Sequence, residues 1–143
     1  MKLTSITANR HVFGGRVNGK PIRLLLTFDD VQRLRLGVAG DGFRMTVDSL
    51  PLDEPCDLDQ YGGVVVEDVT QSLFVRLQNV EVKGLRALLL EGQQVGVRML
   101  LGSGGDFHFW IDGDELFWGD GGALAAHDWL DGLIPTAGEP VQV

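Results

Sequence analysis

Apolar and polar residues alternate with a period of two along much of this chain. In Phe43-Arg44-Met45-Thr46-Val47-Asp48, Phe43, Met45 and Val47 fall on one face and Arg44, Thr46 and Asp48 on the other. Arg33-Leu34-Arg35-Leu36 repeats the period. Sheets with one dry and one wet face are written this way. The short runs rich in Val, Leu, Phe and Arg are separated by turns drawn from the chain's 20 glycines. Asn18-Gly19 sits between 11–17 and 21–28, and Asn-Gly is a strong hairpin signal. Ala39-Gly40-Asp41-Gly42 joins 31–38 to 43–48, Glu91-Gly92-Gln93-Gln94 joins 85–90 to 95–101, and Asp112-Gly113-Asp114-Glu115 joins 107–111 to 116–118. Repeated short strands with few helical windows predict an all-β fold: a single antiparallel sandwich or partly closed barrel of about nine strands.

Two stretches break the alternation. Residues 50–59, rich in proline and acid, read as a surface connector. In 122–133, Ala125, Trp129 and Leu133 recur at helical spacing with Ala126 and Leu130 beside them, which predicts one short C-terminal helix ended by Pro135 and Gly138. The 143 residues fit one domain, 1–143, large enough to bury a core without staples.

The hairpin 107–119 carries the most information. A type II′ turn at Gly113-Asp114 pairs Asp112 with Glu115, Ile111 with Leu116, Trp110 with Phe117 and Phe109 with Trp118. A type I′ turn at Asp112-Gly113 would instead set Ile111 against Asp114 and Trp110 against Glu115. Cross-strand partners share a face, so the first register, apolar on both faces, is preferred. Ile111, Leu116, Phe109 and Trp118 then face the core. Trp110 and Phe117 are either covered by the C-terminal helix as second-layer core or left open as aromatic anchors with a charged rim.

Charge sharpens that choice. Residues 1–50 hold eight Lys/Arg against four Asp/Glu, and residues 51–143 hold four against sixteen. After Arg98 come eight acids, all three tryptophans and no lysine or arginine. Such a surface suits a basic protein partner and not a phosphate or nucleic acid, for which there is no basic track. Asp112, Asp114 and Glu115 repel one another at the hairpin tip, and a partner's lysine or arginine would relieve them.

Site chemistry is sparse. Cys56 alone makes neither a disulfide nor a cysteine-built zinc site. His11, His108 and His127 lack ligand spacing, and a half-buried sheet histidine is the expected role of His108. Asp112, Asp114 and Asp120 have part of a calcium-loop spacing, but Leu116 and Phe117 occupy the fifth and sixth positions of an EF-hand loop. No metal is expected. The absence of G-x-S-x-G, of a P-loop and of a dinucleotide fingerprint predicts no catalytic residue and no cofactor. Asn79-Val80-Glu81-Val82-Lys83-Gly84 loosely resembles the [DN]-x-S-x-x-G stretch of PilZ domains, which bind cyclic di-GMP. Glu81 replaces the serine and no upstream R-x-x-x-R exists, so that ligand is not carried over.

No apolar run approaches the roughly 18 residues that span a bilayer. Met1-Lys2-Leu3-Thr4-Ser5-Ile6 has no apolar segment of a secretory leader behind it. The expectation is therefore a reduced, cytoplasmic, non-enzymatic binding protein, of inhibitor or immunity type. It would engage a basic protein through Trp110, Asp112, Asp114, Glu115 and Phe117. Two alternatives remain at this level: a β-barrel holding a small apolar ligand, with Phe107, Phe109, Trp110 and Trp118 at its mouth, and a homo-oligomer joined through sheet edges.

Overall fold

The computed structural model describes residues 1–129 and 132–143. The chain is all-β, with two antiparallel sheets, neither closed into a barrel, and a few short helices. Among the described residues there are twelve strands, including two-residue pairings too short to read from periodicity. No helix of the described residues is long and apolar enough to cross a membrane. The chain divides into two compact units, Lys2–Gly37 with Val47–Val80, and Met1 with Val38–Thr46 and Glu81–Val143.

Most of the first unit is a seven-stranded sheet. Its order is β5 (Met45–Asp48), β4 (Gln32–Val38), β3 (Arg23–Phe28), β1 (Leu3–Phe13), β7 (Gly63–Asp68) and β6 (Cys56–Asp57), with β2 (Arg16–Val17) paired to β1. Ile6, Leu26 and Leu34 lie side by side across three strands, as do Ala8, Leu24 and Leu36, and all six are buried. These rows are the dry face that the alternation predicts. On the opposite face of β4, Arg35 makes a two-point contact with Asp48, Nε to Oδ1 at 2.8 Å and Nη2 to Oδ2 at 2.7 Å. That guanidinium holds the Asp48 carboxyl below its ordinary range.

The first hairpin turns earlier than expected. Gly14 and Gly15, both at positive φ, connect Phe13 to Arg16, whereas at Asn18-Gly19 only Gly19 has positive φ. A type I′ turn needs both central residues there, and a Gly-Gly pair meets that demand without steric cost. Asn18-Gly19 lies in the connector to β3.

The second unit is built on a five-stranded sheet ordered β11 (Glu115–Gly119), β10 (Asp106–Asp112), β9 (Gln93–Leu101), β8 (Val82–Leu90) and β12 (Thr136–Pro140). The β8–β9 turn falls at Glu91-Gly92, as expected, with both residues at positive φ. In the β10–β11 hairpin Asp112 faces Glu115, Ile111 faces Leu116, Trp110 faces Phe117 and Phe109 faces Trp118. Gly113 has φ +61° and Asp114 does not share that sign, the requirement of a type II′ turn. The register argued from apolar pairing is therefore the one formed.

Besides α1 (Thr70–Leu73) in the first unit, the second carries α2 (Gly121–Ala126). Asp120 caps α2 by accepting a hydrogen bond from the Ala123 N–H at 2.8 Å. The helix is shorter than the 122–133 expected. His127 turns to extended backbone (ψ 143°), and the Trp129 indole Nε1 donates back to the Leu124 carbonyl at 2.8 Å. Trp129 thus covers the sheet from an irregular segment and not from a helix face. Leu130, expected beside it, lies outside the described residues.

Candidate functional site

Trp110 lies on the face of the second sheet that α2 covers. It is 3% exposed and packs in a cluster with Leu88, Leu124 and Trp129, with Leu90 and Phe117 against the cluster. Two glycines make room for it. A Cβ on Gly96 would stand 3.0 Å from the Trp110 Cα and 2.2 Å from the Phe109 carbonyl oxygen, and one on Gly119 would stand 2.6 Å from the Ala123 Cβ. Only a missing side chain lets α2 come down on β11. Of the two cases left open by the sequence, the structure forms the covered one. Trp110 is second-layer core and cannot act as an exposed anchor, and Phe117 is half-buried, stacked parallel to the Trp110 ring at 6.1 Å.

His127 completes this layer. Its imidazole sits edge-on to three rings, with centroids 4.6 Å from Phe117, 4.6 Å from Trp129 and 5.6 Å from Trp110. Its Nε2 donates to the Asp112 Oδ2 at 2.8 Å. The segment after α2 is thereby tied to the hairpin tip by a charge-assisted bond seated on aromatic rings. Sequence reasoning missed this contact, because residues 112 and 127 meet only through the turn of the chain after α2.

The tip itself is in water. Asp112, Asp114 and Glu115 are all exposed. Among the described residues neither Asp114 nor Glu115 takes part in an ion pair, so the carboxylates brought together there are compensated only at Asp112. Beside them runs the loop between β4 and β5. A Cβ on Gly42 would lie 3.1 Å from Asp114 Oδ1. Phe43, expected to point inward with Met45 and Val47, is instead 76% exposed while Met45 is buried. The cause is local. The Asp41 carboxylate accepts from the Phe43 N–H at 2.9 Å and from Arg44 Nε at 3.0 Å, bending the chain before β5 begins. The Phe43 N–H, more than Arg44, holds the Asp41 carboxyl below its ordinary range. Arg44 is thus occupied next to the tip and does not neutralise it.

Loop and tip enclose a pocket of about 230 Å³. Leu90, Val95, Ile111 and Trp129 supply apolar wall, and Phe43 and Asp112 complete it with Gly42 and Gly113. The first unit has a shallower depression of about 500 Å³ along Val12, Pro55, Cys56 and Val64. The Cys56 thiol there is free and exposed.

His108, expected to be a half-buried sheet histidine, is 4% exposed, and its Nδ1 has no hydrogen-bond partner. Burial pushes its imidazole below the usual 6.5, while the Asp106 carboxylate opposes the shift. Asp106 itself is held by Arg98 at 2.9 Å. Among the described residues no three His, Cys, Asp or Glu side chains converge on a point where they could hold a metal ion. The residues expected at a barrel mouth do not form one, since both sheets are open and Phe109 is wholly buried. No known protein family, characterised protein or solved structure matches this chain.

Proposed function

We propose that the chain is a non-catalytic binding protein that engages a basic protein partner through the β10–β11 tip, an inhibitor or immunity-type role exercised in the cytoplasm. The observation that carries this reading is the pair of exposed, unpaired carboxylates of Asp114 and Glu115 beside the exposed ring of Phe43. Exposed like charges held together by a rigid turn repel one another, and a cation from outside relieves them. Asp112 adds a third carboxylate, already steered by His127. Trp110 and Phe117 lie beneath, stacked on one another, and Phe43 supplies the aromatic contact that the sequence assigns to Trp110. The free thiol of Cys56 suits a reducing compartment.

The test is affinity capture from cell extract with the wild-type chain and with an Asp112→Asn/Asp114→Asn/Glu115→Gln variant. A basic protein held at low salt, released at high salt and not retained by the variant supports the reading. Retention that neither salt nor the triple change disturbs rejects it.

A further inference from the structure

We infer that the pocket between the Phe43 loop and the hairpin tip receives one long cationic side chain, arginine or lysine, from the partner. This rests on the basic-partner reading and names its point of entry. At about 230 Å³ the pocket is smaller than the roughly 300–1,000 Å³ of small-molecule sites, a volume suited to a single side chain. Its chemistry is graded. Leu90, Val95, Ile111 and the Trp129 ring offer apolar surface, while Asp112 stands in its wall. Asp114 Oδ1 lies beside Gly42, which also lines the pocket. Lysine and arginine are graded the same way, with an aliphatic stem and a charged head that stays near water. A purely apolar occupant would desolvate the Asp112 carboxylate, whose Oδ2 alone is answered by His127, and an anion would be repelled.

Two further observations point the same way. Asp112 Oδ2 already accepts a hydrogen bond from His127, set among aromatic rings, which holds the carboxylate in place and leaves Oδ1 as its second acceptor. Phe43 borders the pocket at 76% exposure, where its ring can cover the stem or stack on a guanidinium plane.

The experiment is a ¹H–¹⁵N titration with a capped Gly/Ser peptide carrying one arginine, and with the same peptide carrying lysine or the uncharged isostere citrulline. Saturable shifts at Gly42, Phe43, Val95, Gly113 and the Trp129 indole N–H are expected with arginine or lysine. Binding at least tenfold weaker is expected with citrulline. Phe43→Ala, at an exposed position that does not bear on folding, is expected to weaken the arginine peptide several-fold. Leu90→Trp, which fills the pocket, is expected to weaken it tenfold. Equal binding of citrulline, or undiminished binding to both variants, overturns the inference. Should Leu90→Trp still capture a basic protein that the triple tip variant loses, the pocket fails and the basic-partner reading stands. If the triple variant also captures it, the reading itself fails.

Discussion

Trp110 and His108 show what burial does to single residues on the same strand. The Trp110 indole N–H is buried with no hydrogen-bond partner, so the ring contributes packing at the expense of an unsatisfied donor. Trp110→Ala removes the packing and should cost about 3–5 kcal/mol. Trp110→Phe keeps part of the ring and deletes the orphan donor, so its cost should be well under half of that in urea denaturation. Equal costs would mean that the N–H is satisfied in solution. For His108 the folded imidazole titrates below the unfolded value of about 6.5. Its contribution is complete above that pH. As pH falls from there toward the folded value, the unfolded chain takes up a proton that the folded chain refuses. Stability therefore drops through that window by at most about 1.4 kcal/mol per pH unit. His108→Gln should flatten the drop in urea midpoints measured from pH 7 to 5. An unchanged slope would assign it to other groups. The sequence singles out both residues, Trp110 as covered or open and His108 as half-buried, but neither the orphan indole N–H nor the depressed imidazole is legible in it.

At the scale of elements, turn chemistry and periodicity were legible where they were local. The β10–β11 register followed from which pairing leaves no carboxylate opposite an apolar ring, and it is the one formed. The Asn18-Gly19 hairpin was misplaced because Gly14-Gly15 competes for the same turn with two positive-φ residues. Phe43 was misassigned because period two continues through it, while the Asp41 hydrogen bonds bend the chain so that β5 and its alternation begin only at Met45. The helix was overextended for a related reason. Trp129 has helical spacing, but its indole bonds the Leu124 carbonyl and the backbone leaves the helix at His127. A helix of only six residues leans on its cap. Asp120→Ala should destabilise the chain by about 1 kcal/mol, with faster amide exchange in α2 than in β10. Exchange accelerated equally in both would show that α2 and the sheet open as one body.

For the whole molecule, charge is the property with the longest reach. The net charge of −8 is the balance of a positive first third and a strongly negative remainder. Steering of a cationic partner should make association, more than dissociation, depend on ionic strength. Stopped-flow association with the captured partner should slow on the order of tenfold between low and high salt, and the triple tip variant should lose most of that dependence. A salt-independent rate would place the contact away from the tip. Fold class, the strand-pairing register of the tip and the uneven distribution of charge could all be read from residue order. Each depends on alternation, turn geometry or simple counting among residues close along the chain. The burial of Trp110 beneath Trp129 was one of two cases the sequence allowed, and folding decided for it; the clasp of His127 on Asp112 and the pocket edged by Phe43 emerged only on folding. They join segments far apart in sequence, and their geometry follows from which side chains reach one another once the backbone has closed.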